Sequence, residues 1–363
     1  MPTMTRIHNF SAGPAMLPLP VLEQAQRDLV SLPDVGMSVM EISHRSKTFE
    51  DLLNGAIADI RALANIPAHY KILMLQGGAT LQFSMVPMNL LTPGATADYI
   101  DTGSWAGKAI AEARKVGAVS VAATTKADGY ARIPTQDELK LTRGAAYVHI
   151  TSNNTIEGTE WTTLPEVGEA PLVADTSSDM FSGPIDVSRF GLIYAGAQKN
   201  LGPSGVTLVI IREDLIARST DALPIMLNYK VHADNNSLYN TPNTFGVYIL
   251  GLTVKWLRSL GGLPAIARVN QRKAGKLYAE IDRTGFYRGT ARKDSRSLMN
   301  VTFRLSSEEL EKLFVKESTA AGLDGLKGHR AVGGMRASIY NAFPEDGVDA
   351  LVAFMREFER THG

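Results

Sequence analysis

The chain has 363 residues, which is more than one small hydrophobic core requires and enough for two domains of ordinary size. Lysine plus arginine and aspartate plus glutamate both number 37, so no net charge attracts nucleic acid or an acidic membrane surface, and any cationic site must be local. The absence of cysteine excludes a disulfide framework, a cysteine-ligated zinc and a cysteine nucleophile.

The N-terminal segment MPTMTRIHNF has neither the apolar stretch nor the small-residue cleavage site of a secretory signal. No apolar run approaches the roughly 20 residues that span a bilayer. The sequence therefore predicts a soluble, cytoplasmic protein.

The first two thirds of the chain alternate between helical and strand patterns. Apolar residues spaced three and four apart from Phe49 to Leu63 predict a helix that ends before Pro67. Further helices are predicted over residues 81–91 and 104–116. Short β-rich runs predict strands, the last two of them paired through a Gly-Pro-Ser-Gly turn, over residues 70–75, 97–100, 118–122, 146–150, 171–174, 192–195 and 206–211. This alternation predicts a mostly parallel sheet covered by helices on both faces.

The pattern changes near residue 260. Helices are predicted over residues 245–260, 263–281 and 344–360, and strands over 297–303 and 335–340; one more helix begins with a capping box formed by Ser306 and Glu309. We therefore expect an α/β protein with a large domain of residues 16–260 and a smaller α+β domain of residues 1–15 plus 261–363.

The segment from Gln76 to Thr80 (QGGAT) follows a predicted strand and opens a helix. Glycines there allow close approach of the backbone, and free N–H groups with the helix dipole favour a phosphate. The segment lacks the third glycine of a dinucleotide fingerprint and the Lys-Ser/Thr of a P-loop. A plain tight turn between strand and helix explains it equally well.

Two charged residues stand at the ends of apolar strands, where ligands bind in α/β sheets. Asp175 ends the run PLVAD, where a carboxylate costs free energy unless a cation meets it, although it could also cap a helix. Lys199 ends the run GLIYAGAQK and, alone, could point into solvent. A phosphate cradle, a strand-end aspartate and a strand-end lysine together supply what pyridoxal phosphate requires.

Nearly the whole chain resembles the phosphoserine aminotransferases, a branch of the fold-type I, class-V aminotransferases. The resemblance lies in residues 10–18 (FSAGPAMLP), 41–45 (EISHR), 76–80 (QGGAT), 154–158 (NTIEG), 174–178 (ADTSS), 194–200 (YAGAQKN), 239–242 (YNTP) and 328–341 (GHRAVGGMRASIYN). The last segment separates this branch from its relatives.

The resemblance implies a large α/β/α domain around a mixed sheet, a small α+β domain, and a role for each matching residue toward pyridoxal 5'-phosphate. Lys199 would form the Schiff base and then move the proton, and Asp175 would pair with the pyridine nitrogen. Trp105 would stack on the cofactor ring, and Thr155 would bond its phenolic oxygen. The phosphate would be held by Ala79, Thr80 and Gln198. Asn240 and Thr241 would reach the phosphate from the second subunit of a homodimer. Some relatives have arginine in place of Thr80.

The substrate contacts follow a physical logic as well as the resemblance. A bidentate arginine holds an α-carboxylate well, and Arg336 matches that role. A cluster of cations would hold, in turn, the phosphate of phosphoserine and the γ-carboxylate of glutamate; the matching residues are His44, Arg45, His329 and Arg330. Either His-Arg pair alone could be ordinary surface charge.

The resemblance thus implies reversible transfer of an amino group from L-glutamate to 3-phosphohydroxypyruvate, giving O-phospho-L-serine and 2-oxoglutarate in serine biosynthesis. Bacterial members often also act on 4-phosphohydroxy-L-threonine in pyridoxine biosynthesis, which the sequence leaves open. The alternatives are an alanine–glyoxylate or serine–pyruvate aminotransferase, a binding protein without catalysis, and a nucleotide-binding dehydrogenase. Cysteine desulfurase is excluded, because the chain has no cysteine.

Overall fold

The computed structural model describes residues 6–363, and residues 1–5 of the predicted small domain lie outside them. The strands are β1 His8–Asn9, β2 Tyr70–Leu75, β3 Thr96–Asp101, β4 Ala118–Thr124, β5 Val148–Thr151, β6 Asn153–Asn154, β7 Thr159–Glu160, β8 Leu172–Asp175, β9 Leu192–Gly196, β10 Thr207–Arg212, β11 Arg288–Gly289, β12 Asn300–Arg304, β13 Leu323–Asp324 and β14 Met335–Ser338. The helices are α1 Leu19–Val30, α2 Lys47–Leu63, α3 Gly78–Leu90, α4 Ser104–Ala113, α5 Glu213–Ile216, α6 Tyr229–Asp234, α7 Thr244–Ser259, α8 Gly262–Ile281, α9 Glu308–Ala320 and α10 Glu345–His362.

The central sheet has seven strands in the order β2-β10-β9-β8-β5-β3-β4. Strand β10 runs antiparallel to both neighbours, and the other adjacent pairs are parallel. The protein therefore has the expected α/β fold with a mostly parallel mixed sheet. The predicted hairpin between the last two strands is confirmed, with Thr207 paired to Gly196.

Alternating side chains of the sheet enter two different hydrophobic cores. In β2, Ile72 and Met74 face one core, and Leu73 and Leu75 face the other. The strands are apolar on both faces because helices cover both: α2 and α7 pack on the first face, and α3 and α4 on the second.

A third hydrophobic core lies outside the central sheet. It combines side chains of β12, β14 and helices α8, α9 and α10 with Phe10 from the N-terminal segment. Strand β1 beside Phe10 pairs in parallel with β13, which brings the start of the described chain to this C-terminal unit. The exact domain boundaries stay a prediction.

One predicted helix start is wrong by one residue. Ser307, not Ser306, caps α9: its backbone is extended and its hydroxyl accepts a hydrogen bond from Leu310 N at 3.2 Å. Across residues 6–363, no helix is both long enough and apolar enough to cross a membrane.

Candidate active site

The carboxyl ends of the parallel strands meet at one edge of the central sheet, and a cavity of about 590 Å³ opens there. This is where ligands bind in open α/β sheets. Nine predicted site residues line the cavity: Ala79, Thr80, Trp105, Thr155, Asp175, Gln198, Lys199, His329 and Arg336.

The glycine segment after β2 forms one wall of the cavity. Gly77 and Gly78 have φ values of 84° and 64°, in the left-handed region that favours glycine, and α3 begins directly after the first of them. No side chain of the described chain caps this helix start, so its first N–H groups are available to a ligand at the positive end of the helix dipole. This wall can hold a phosphate.

Asp175 is buried at the end of β8 and faces the cavity. Its Oδ1 accepts hydrogen bonds from Ser177 N at 3.0 Å and Ser177 Oγ at 2.6 Å. Burial raises the pKa of Asp175, whereas the bonds from Ser177 and the charge of Lys199 act in the opposite direction. A cation facing this carboxylate would hold it ionised.

Lys199 reaches the cavity from the turn that follows β9. Its Nζ lies 5.2 Å from the centre of the Trp105 ring. A side chain at Gly13 would lie 3.3 Å from Lys199 Cγ, so glycine leaves room for the lysine stem. Burial lowers the pKa of Lys199 to about 8; the charge of Arg336 lowers it too, while Asp175 raises it. The amine therefore stays mostly protonated at pH 7, but its neutral form is far more accessible than in an ordinary lysine, as a proton carrier requires.

Thr155 connects two other predicted site residues. Its hydroxyl accepts a hydrogen bond from Trp105 Nε1 at 3.0 Å, and its carbonyl oxygen accepts one from Arg336 Nη1 at 3.0 Å. The indole and the guanidinium are thus held against the same turn, which follows strand β6 and borders the cavity.

His329 stands among cations at the cavity. Burial and the charges of Arg336, Arg330 and Lys108 lower its pKa. Lys108 also lies 4.1 Å above the Trp105 ring. This local positive field in a chain without net charge favours an anionic ligand.

Five predicted site residues do not line the cavity in this single chain. His44, Arg45 and Arg330 do not border the 590 Å³ cavity, and neither do Asn240 and Thr241. Asn240 borders a separate space of about 130 Å³ behind the glycine segment. Thr241 lies nearby, since its carbonyl oxygen accepts a hydrogen bond from Gln76 Nε2 at 3.3 Å. Of the four cations expected to form the anion pocket, only His329 lines the cavity within one chain.

Sequence reasoning missed several residues that support the site. Ser177 and Lys108 act on Asp175 and His329 as described above, and Gly13 lies against Lys199. Ser152 Oγ lies 3.0 Å from the carbonyl oxygen of Asp175 and 2.6 Å from Asp179 Oδ1, directly behind the site. For Ser177 the available signal was the serine-rich run that follows Asp175, but this run has no helical or strand periodicity that would indicate its role.

The family model for class-V aminotransferases matches residues 7–351 of the chain. The chain belongs to the class-V aminotransferase family. A similar member, the phosphoserine aminotransferase of Herpetosiphon aurantiacus, is 55% identical over 358 residues, which is 98% of this chain and 99% of that protein.

Solved structures of class-V aminotransferases share both the fold and much of the sequence. The phosphoserine aminotransferase from Bacillus circulans subsp. alkalophilus has a TM-score of 0.97 and 53% identity, with 99% of each chain covered. The phosphoserine aminotransferase from Trichomonas vaginalis, whose crystal structure has bound PLP, has a TM-score of 0.93 and 38% identity over 97% of this chain and all of that chain. The predicted resemblance and fold class are thereby confirmed.

Proposed function

We propose that this enzyme is a phosphoserine aminotransferase, which transfers an amino group between L-glutamate and 3-phosphohydroxypyruvate to give O-phospho-L-serine and 2-oxoglutarate. The observation that supports this most directly is the single cavity in which Lys199 and Asp175 face a wall containing Arg336 and His329. Such a cavity combines groups for amino transfer with groups for an anionic substrate. Serine biosynthesis in the cytoplasm is the corresponding role.

The cavity fits pyridoxal 5'-phosphate, the cofactor of this enzyme. The uncapped start of α3 at Gly77–Thr80 suits the phosphate, and the Asp175 carboxylate suits a protonated ring nitrogen. We propose that Trp105 stacks on the ring, that Thr155 bonds its phenolic oxygen, and that Gln198 joins the phosphate grip. When bound, the cofactor supplies the carbonyl that takes up the amino group and the electron sink that stabilises charge at the substrate Cα.

Lys199 is the proposed base that removes and returns the proton at the substrate Cα. Its lowered pKa of about 8 makes the neutral amine accessible near pH 7. Asp175 is the proposed partner of the ring nitrogen, and Ser177 holds its Oδ1 in place through two hydrogen bonds.

Arg336 is the proposed ligand of the substrate α-carboxylate. It is half-buried, and its Nη1 is fixed by the Thr155 carbonyl, which orients the guanidinium toward the cavity. Ion pairing to a planar carboxylate is the geometry that arginine favours. His329, which is surrounded by positive charge, suits a distal phosphate or γ-carboxylate.

We propose that a second copy of the chain completes the site. His44, Arg45, Asn240 and Thr241 lie away from the cavity of their own chain, and Arg45, Arg330 and Thr241 are exposed. In a homodimer the first four could reach the neighbouring cavity, and Arg330 needs only a movement of the exposed segment that also holds His329.

The test uses the purified protein loaded with pyridoxal phosphate and follows its visible spectrum. L-Phosphoserine and L-glutamate should each pass their amino group to the cofactor, and L-alanine should not. Reaction with alanine and failure with phosphoserine would indicate an alanine-type aminotransferase and contradict the anion site. The Lys199→Ala variant should fold and bind the cofactor without turnover. Adding 4-phosphohydroxy-L-threonine to the same assay tests the proposed second substrate in pyridoxine biosynthesis.

A further inference from the structure

Glu157 is a buried carboxylate in the turn beside Thr155, with 8% of its surface exposed. Within residues 6–363, no lysine, arginine or histidine lies at salt-bridge distance from it, and the nearest cationic interaction is the longer-range one by which its charge raises the pKa of Arg336. Because burying an unpaired charge costs free energy, a neutral residue would be expected here unless the charge has a particular partner.

The partner is the start of helix α4. Glu157 Oε1 accepts hydrogen bonds from Ser104 N at 2.8 Å and from Ser104 Oγ at 2.7 Å. The residue before the helix is Gly103, which has no side chain to serve as a cap. A carboxylate at this position satisfies a free N–H group and faces the positive end of the helix dipole.

The helix that Glu157 caps contains Trp105 in its first turn. The indole is then tied by Nε1 to Thr155, two residues before Glu157 in the same turn. The backbone carbonyl of Glu157 accepts a hydrogen bond from Thr302 Oγ1 at 3.2 Å, so strand β12 anchors this turn. The position of the indole is therefore set by one segment, whose own position is fixed by the C-terminal unit.

Gly103 leaves the space that this contact needs. A Cβ at position 103 would lie 2.7 Å from Glu157 Oε2 and 2.9 Å from Asn154 Oδ1. The backbone of Gly103 is extended, with φ 163°, so any residue could adopt it and only the collision opposes a side chain.

We propose that Glu157 is a positioning residue, which caps helix α4 through Ser104 and thereby holds the Trp105 ring in place for the cofactor. Glu157 does not border the 590 Å³ cavity; it borders a neighbouring space of about 180 Å³, which His329 and Arg336 also line. Its proposed effect on the cofactor therefore passes through Trp105 and not through direct contact. The inference rests on the proposed function only in taking the cofactor ring to stack on Trp105.

The experiment titrates cofactor-free protein with pyridoxal phosphate and records the induced circular dichroism of the bound cofactor in the visible range. We expect Glu157→Ala to bind the cofactor about tenfold more weakly and to show reduced induced dichroism, because helix α4 loses its charged cap and no longer holds the Trp105 ring in place. Glu157→Gln keeps an oxygen acceptor for Ser104 and should restore most of both signals. Gly103→Ala should reproduce the Glu157→Ala result.

Two controls separate positioning from general loss of stability. Gly107→Ala lies in the same helix, where a Cβ meets nothing within 4 Å, and should leave both signals unchanged. Glu280→Gln alters another buried carboxylate, which pairs with Arg283 and Arg356 away from the cavity, and should also leave them unchanged.

Wild-type affinity and dichroism in Glu157→Ala would overturn the proposal, and so would an equal loss in Glu280→Gln. If Glu157→Ala does not fold, the comparison of Gly103→Ala with Gly107→Ala decides in its place. Neither readout uses an amino-acid substrate. Failure of phosphoserine to react, with the Glu157 effect intact, would therefore contradict the proposed function and leave this inference standing.

Discussion

Replacing Lys199 with methionine should abolish amino transfer and, at the same time, stabilise the cofactor-free protein at pH 7. Methionine keeps a similar length and volume but removes the amine. In the folded chain Lys199 binds a proton more weakly than an ordinary lysine, since burial lowers the pKa of that amine to about 8 from its ordinary value of 10.5. The unfolded chain has no such penalty.

This difference in pKa corresponds to about 3 kcal/mol of stability at pH 7, at 1.36 kcal/mol per pKa unit. Because the amine also faces the open cavity, where its charge is less costly than in the protein interior, this value is an upper limit on the gain in stability. Between pH 8 and 10.5 the unfolded state binds more protons than the folded state, and wild-type stability therefore rises with pH. The advantage of the variant should fall to about 1.4 kcal/mol at pH 9.5 and disappear above pH 10.5.

The assay is urea denaturation of cofactor-free wild type and Lys199→Met at pH 7 and pH 9.5, followed by far-ultraviolet circular dichroism. Comparing the two proteins at each pH cancels the titration of the groups that do not interact with Lys199; Asp175 and Asp179, whose pKa values the lysine charge lowers, are the exceptions, and both pH values lie on the alkaline side of their ordinary range. Lys108→Met removes an exposed lysine and should give no such pH-dependent gain. A variant that is less stable than wild type at pH 7, or a gain of the same size at both pH values, would refute this reasoning.

Three further predictions concern the substrate arginine and the C-terminal unit. Arg336→Gln should lower kcat/KM for phosphoserine and glutamate by about 100-fold, because a charge-assisted pair is lost, without changing the cofactor spectrum; an unchanged kcat/KM would contradict the assignment. Lys273→Met should destabilise the protein by about 3 kcal/mol at pH 10, because three buried carbonyl oxygens of residues 339–343 lose a donor at 2.7–3.0 Å, and an unshifted urea midpoint would count against it. At pH 7 the loss should be smaller, since burial lowers the pKa of Lys273 to about 7 and the variant also removes the cost of charging that amine. Phe314→Ala should cost about 3–5 kcal/mol, since the ring packs edge-on against four aromatic rings, and differential scanning calorimetry should show the loss.

The sequence pattern predicted all seven strands of the central sheet, because helices cover both faces and the strands are continuous apolar runs. The strand predicted over residues 146–150 is Val148–Thr151, and the one over 297–303 is Asn300–Arg304. Such ends are set by tertiary hydrogen bonds rather than by local pattern. Helix α1 was not predicted, since Pro18 and Pro20 interrupt the apolar period at its start.

The strand-end rule located Asp175 and Lys199 because a charged residue at the end of an apolar run is conspicuous in a sequence. Glu157 is buried like Asp175 but lies in a turn with other polar residues, where a carboxylate does not stand out in the sequence. The resemblance assigned Asn240 and Thr241 to the second subunit but grouped Arg45 with His329, and only the structure shows that Arg45 does not border the cavity of its own chain.

The cavity has walls that belong to different hydrophobic cores, and this has a thermodynamic consequence. Asp175 is the last residue of β8, whose side chains lie in the two cores of the central sheet. Arg336, in contrast, lies between Met335 and Ala337, which belong to the third core. With the proposed contacts, a substrate held by Arg336 next to a cofactor held by Asp175 would form a non-covalent cross-link between units that fold around separate interiors. At 100 times its dissociation constant such a ligand adds about 2.7 kcal/mol of stability, and that free energy opposes separation of the two units as well as unfolding of either. Amide hydrogen exchange at β12 and β14 should slow when phosphoserine binds, by more than the cofactor alone achieves.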